Sequence, residues 1–125
     1  MKVLIIDDEP LVRLTLERVA RSRGHTVSLA EEGLSGLEKW INESPDLVFL
    51  DVLMPGLNGP QVLKELGDKK TGKVVLISAY TGKYDVEKAR SIGADLFISK
   101  PFDDIFQVMD RAEELVNDLG QEKEI

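Results

Sequence analysis

Cysteine is absent from the 125 residues, which removes disulfides, thiolate nucleophiles and zinc–thiolate sites together. No apolar run approaches the ~20 residues of a membrane span. Met1-Lys2 leads straight into a strand-like segment without a signal-peptide pattern. The chain therefore reads as cytoplasmic and not membrane-bound. Basic residues are in deficit, 16 against 23 acids, a formal charge of −7. A pI near 4.7 argues against direct nucleic-acid binding, which needs clustered Lys and Arg. Low-complexity tracts and internal linkers are also missing. Hydrophobic residues at 42% and charged residues at 31% exclude disorder. One domain over 1–120 is expected, followed by a short polar tail at 121–125.

Five apolar runs begin near Val3, Thr26, Leu47, Val74 and Leu96. Segments with helical spacing lie between them, and strands alternating with helices predict a parallel α/β sheet. The first helix opens at Pro10 and stops at Gly24, with Val12, Leu16, Val19 and Ala20 on one face. The second carries Leu34, Leu37, Trp40 and Ile41 as its apolar face and breaks at Ser44-Pro45. The third starts at Gly59-Pro60, the fourth spans Lys83 to Ile92, and the fifth starts near Asp103 as N-cap. The fourth has the fewest apolar anchors, which marks it as the helix most able to move.

The ends of the runs carry the chemistry. Val3-Leu4-Ile5-Ile6 runs into Asp7-Asp8-Glu9, and Leu47-Val48-Phe49-Leu50 closes on Asp51 before Met54-Pro55-Gly56. The fourth run ends in Ser78, and the fifth in Ser99-Lys100-Pro101. In a doubly wound five-stranded sheet of order 2-1-3-4-5, ligands bind outside the carboxyl ends of strands 1 and 3. That topology gathers Asp7, Asp8 and Asp51, with Ser78 and Lys100 on the flanks. Two carboxylates about 4 Å apart repel by roughly 4 kcal/mol at an effective dielectric near 20, so the group calls for a cation. All-oxygen donors suit Mg²⁺. A metal between acids beside an ammonium is apparatus for phosphoryl transfer, and a carboxylate can itself be the acceptor. Asp51, alone on its strand, is the best acceptor; Asp7 and Asp8 are the best metal holders.

Val3-Leu4-Ile5-Ile6-Asp7-Asp8-Glu9-Pro10, Asp51-Val52-Leu53-Met54-Pro55-Gly56, Ser78-Ala79 and Lys100-Pro101-Phe102 together resemble the receiver domain of two-component response regulators, a flavodoxin-like (βα)5 fold. The resemblance covers residues 2 to about 119. It implies that Asp51 accepts a phosphoryl group from a histidine kinase or phosphotransfer protein. Asp8, Asp51 and the Leu53 backbone carbonyl would hold Mg²⁺, with Asp7 helping through water. Ser78 would take the switch-hydroxyl position, and Phe97 that of the aromatic that reorients on activation. Lys100 would bond a phosphate oxygen, and the Lys100–Pro101 bond would be cis. A changed helix 4–strand 5–helix 5 surface would then meet a second copy or an output domain. The chain would be a phospho-acceptor that assists its own phosphorylation, not an enzyme with a separate substrate.

The sequence departs from the best-known members at Leu53, where some carry Asn, and at Phe97, where many carry Tyr. The Leu53 side chain also weighs against a Mg²⁺-dependent phosphatase, which usually carries a second acid two residues after its nucleophile. Asp7-Asp8-Glu9 weighs against a flavin or nucleotide domain, which needs a Gly- or Ser/Thr-rich loop there. Lys100, at a strand end, is expected to reach solvent, so that truncating it weakens signalling more than folding. Trp40 is read as core, and His25, the only histidine, as partly exposed and neither ligand nor phosphodonor. Tyr80 and Tyr84 flank the site on a loop.

Overall fold

The computed structural model describes residues 1–79 and 86–122, with the side chains of Val86 and residues 118–122 outside that description. Tyr80, Tyr84, the start of the predicted fourth helix, the Leu119 side chain and residues 123–125 therefore lie outside the described residues. Five strands, β1 (Lys2–Ile6), β2 (Thr26–Ala30), β3 (Leu47–Asp51), β4 (Lys73–Ser78) and β5 (Leu96–Ser99), alternate with five helices. These are α1 (Pro10–Ser22), α2 (Gly33–Glu43), α3 (Gly59–Leu66), α4 (Val86–Ser91) and α5 (Ile105–Glu122). All strand pairs are parallel and the order is β2-β1-β3-β4-β5, as expected. α5 runs through Glu122, past the start of the predicted tail.

The central strands are continuous apolar runs because both faces of the sheet are covered. Alternation along each strand divides the core in two. Leu4, Ile6, Val48, Leu50, Val74 and Leu76 pack with Trp40, Val62, Leu66 and Ala89 on one face. Val3, Ile5, Phe49, Val75 and Ile77 pack with Leu16, Val19, Val108, Met109 and Ala112 on the other. Trp40 is fully buried, and its indole N–H donates to the Thr71 carbonyl at 2.9 Å. His25 is half-buried against Glu113, 2.6 Å away, and tethers the start of β2 to α5.

Two local expectations need correction. The inner face of α2 is Gly33, Gly36, Leu37 and Trp40, while Leu34 and Ile41 are exposed. A Cβ on Gly36 would stand 2.7 Å from the Ile6 side chain, so this glycine lets α2 lie close on β1 and turns Leu34 and Ile41 outward. The cap of α5 is Asp104, whose Oδ1 accepts from the N–H groups of Phe106 at 2.9 Å and Gln107 at 3.3 Å. Asp103 lies one residue too early to reach them.

Gly59 joins the fold to the site. It opens α3 with its N–H on the Val52 carbonyl at 2.9 Å, and its Cα faces the end of β3. A Cβ there would sit 2.5 Å from the Asp51 carbonyl oxygen and 3.1 Å from the Val52 Cα, both backbone atoms. Gly59→Ala should lower the unfolding free energy by about 1–3 kcal/mol, the usual range for overpacking. Urea unfolding measures this; a loss below about 0.5 kcal/mol would mean α3 shifts without strain.

Candidate functional site

Parallel strands bring their carboxyl ends to one edge, and that is where the acids stand. Asp7 follows β1 directly, Asp51 is the last residue of β3, and Lys100 follows β5. Asp7 and Asp51 are buried. Carboxylate oxygens of Asp7, Asp8, Glu9 and Asp51 all lie within 4.8 Å of one another. Lys100 lies among them, its ammonium donating to Glu9 Oε1 at 2.7 Å and Asp7 Oδ2 at 3.1 Å, with Asp51 Oδ1 at 3.4 Å. The backbone holds these groups in place. The Asp7 N–H donates to the Ala30 carbonyl at 3.1 Å, and Asp7 Oδ1 accepts the Glu9 N–H at 2.8 Å. Arg13, one turn into α1, clamps the Asp7 carbonyl at 2.7 Å. The Lys100–Pro101 bond is cis.

The two buried carboxyls of the cluster, Asp7 and Asp51, hold their protons more tightly than usual. Burial, reinforced by the charge of Asp7 and a side-chain hydrogen bond with Asp8, pushes the Asp51 carboxyl from 3.8 up to about 7, against the pull of Lys100. Burial also raises Asp7, opposed by the Glu9 backbone N–H and Lys100. For Lys100 burial acts downward, but Glu9, Asp51 and Asp7 outweigh it, so the ammonium is held more firmly than usual. Among the described residues, Lys100 is the cation paired with this cluster of four acids, which leaves the group under-compensated. Hard oxygen donors at this spacing fit a divalent ion such as Mg²⁺.

The remaining predicted residues fall around this cluster. Ser78 is fully buried at the end of β4, one residue past Ile77, the register partner of Asp51, and its carbonyl accepts the Lys100 N–H at 2.9 Å. Leu53 turns its side chain outward, 60% exposed. The neighbouring Val52 carbonyl is taken by Gly59, and among the described residues no backbone N–H donates to that of Leu53. Phe97 is not in the cluster. It packs, half-buried, with the core group that contains Ala89, Ile92 and Ala94.

Two features escaped the sequence reading. Lys100 is largely shielded from solvent, its side chain only 7% exposed. Glu9 is its nearest partner, and the third consecutive acid before Pro10 was the available signal. A groove of about 550 Å³ also opens beside Lys100, lined by Leu11, Val12, Ala79, Phe102 and Ile105 among others.

Residues 3–112 match the model of the response regulator receiver domain. The chain belongs to this family. It is 35% identical over 101 residues to the transcriptional regulatory protein CseB of Streptomyces coelicolor, across 81% of this chain and 43% of CseB. It thus spans less than half the length of that relative. A receiver domain protein from Methanospirillum hungatei superposes with a TM-score of 0.87 over 97% of both chains, at 22% identity, which speaks for the fold alone. A chain of the crystallised CheX–CheY–BeF3–Mg²⁺ complex from Borrelia burgdorferi is 29% identical, with a TM-score of 0.83 over 92% of this receiver domain and 88% of that chain. No described helix is long and apolar enough to cross a membrane.

Proposed function

We propose that this receiver domain takes a phosphoryl group onto Asp51 from the phosphohistidine of a kinase or phosphotransfer protein in the cytoplasm, and passes the signal on by a change of surface. The observation that carries this reading is the meeting of Asp7, Asp8, Glu9, Asp51 and Lys100 in one cluster. An ionised Asp51 oxygen attacks phosphorus, a P–O bond forms, the P–N bond breaks, and the leaving nitrogen takes a proton. Asp7, Asp8, Asp51 and the Leu53 carbonyl would hold Mg²⁺, whose chemistry is to neutralise phosphoryl oxygens. Lys100, whose ammonium lies 3.4 Å from Asp51 Oδ1, supplies a further counter-charge, and the Ser78 hydroxyl donates to a phosphoryl oxygen. The domain is a phospho-acceptor with no separate substrate to turn over.

The partner's donor group must reach Asp51 beside Lys100. The apolar groove there and the exposed Leu11 and Leu14 on α1 suit an apolar face of the donor protein. Output runs through the other flank. Ser78 drawn toward the phosphoryl group shifts the chain that follows it, and Phe97 repacks beneath α4. The α4–β5–α5 surface then meets a second copy or an output domain. With Phe97 in place of a tyrosine, this switch works by packing and needs a bias of only about 1–3 kcal/mol.

Incubation with phosphoramidate and Mg²⁺, followed by intact-mass measurement, should show one added phosphate. Omission of Mg²⁺ or Asp51→Asn should abolish it. An adduct that persists in Asp51→Asn would overturn the assignment.

A further inference from the structure

We infer that Glu9 is a positioning residue that biases the Lys100 ammonium toward itself, so that it sits at the outer edge of its contact with Asp51 until a phosphoryl group draws it in, an inference that rests on the Asp51 reading. The three distances are ordered, 2.7 Å to Glu9, 3.1 Å to Asp7 and 3.4 Å to Asp51, so the ammonium lies toward Glu9. Glu9 occupies the N-cap position of α1, yet its side chain makes no cap hydrogen bond and reaches back to Lys100 instead. Its main chain is pinned on both sides. The N–H donates to Asp7 Oδ1 at 2.8 Å, and the carbonyl accepts the Arg13 N–H at 3.2 Å. The following Pro10 further restricts the turn.

The three partners differ in what they lose when Lys100 leaves. The Asp7 and Asp51 side chains are 0% and 3% exposed, and water cannot replace a lost partner there. Glu9 is 57% exposed, so water takes the place of the ammonium at little loss. Glu9 is therefore the partner able to let go. A phosphoryl group brings about −1.5 to −2 of charge to Asp51 and competes for the same ammonium. While the ion pair lasts, Glu9 opposes that move and adds a negative charge facing an anionic donor.

Phosphorylation kinetics separate this role from a diffuse charge effect. With phosphoramidate and Mg²⁺ fixed, Glu9→Gln should take up phosphate about tenfold faster than the wild-type domain, read by intact mass. In a Lys100→Met background the same change should alter the rate less than twofold, because the group Glu9 restrains is gone. An unchanged or slower rate in Glu9→Gln, with the wild type still taking up phosphate, would overturn the inference and leave the Asp51 reading intact. An equal gain in both backgrounds would reduce Glu9 to a remote charge and overturn it too. Failure of the wild type to form any adduct would instead sink the Asp51 reading.

Discussion

At pH 8, Asp51→Asn should raise the thermal midpoint of the domain by roughly 6–12 °C, a gain of about 2–4 kcal/mol. Burial and Asp7 raise the folded Asp51 carboxyl from 3.8 to about 7. Between those values the folded chain binds more protons than the unfolded one, so stability falls as pH rises. The loss is absent below about pH 4 and complete above about pH 8, where Asp51 is ionised beside Asp7. The amide that replaces the carboxyl in the variant carries no charge at any pH and escapes this loss. The advantage of the variant should therefore shrink toward zero near pH 4.5 and level off above pH 8. Mg²⁺ should stabilise the wild type more than the variant, because binding to the folded state alone raises its stability. Thermal scans of both proteins at pH 4.5, 6 and 8 provide the test. A gain of the same size at every pH would trace to packing and remove the buried-charge account.

That instability was only partly legible in the sequence. Apolar runs closing on Asp7 and Asp51 predict strands covered on both faces, and alternation with helices predicts their parallel order; both hold. The convergence of Asp7, Asp51 and Lys100 follows from that order alone. What sequence order does not carry is the depth of each group. Lys100 before Pro101 has the look of a solvated lysine, yet its side chain is drawn in among Glu9 at the N-cap of α1, Asp7 and Asp51. The α2 face was misjudged for a related reason. Leu34 and Ile41 have the right spacing, but Gly36 lets the backbone itself approach Ile6, and the helix turns to use that contact. At α5, Asp103 and Asp104 share the same capping chemistry, and one residue of loop geometry chooses between them. In each case the residue type was informative and the missing quantity was a distance set by a neighbouring element.

The burial of Lys100 reverses an expectation based on its position in the chain. Lys100→Met should lower the stability of the domain at pH 8 by about 3–5 kcal/mol, the range for breaking a buried ion pair from one side. Met nearly matches the lysine stem in length and apolar character, so packing loss is small and the effect isolates the charge. Removal of the ammonium leaves the buried Asp7 and Asp51 side chains without their ion-pair partner and beside the like charges of Asp8 and Glu9. Their carboxyls then bind protons still more tightly, so the loss should fade as pH drops toward 5 and the acids neutralise. Mg²⁺ should restore part of it at pH 8 by supplying the missing positive charge. Removing one carboxylate should act the same way. The double variant Asp51→Asn/Lys100→Met should recover much of the lost stability, a coupling a surface lysine would not show. Denaturant unfolding of the four proteins closes the cycle. A Lys100→Met loss of less than ~1 kcal/mol at pH 8 would show that the ammonium adds nothing to the fold and serves the phosphoryl group alone.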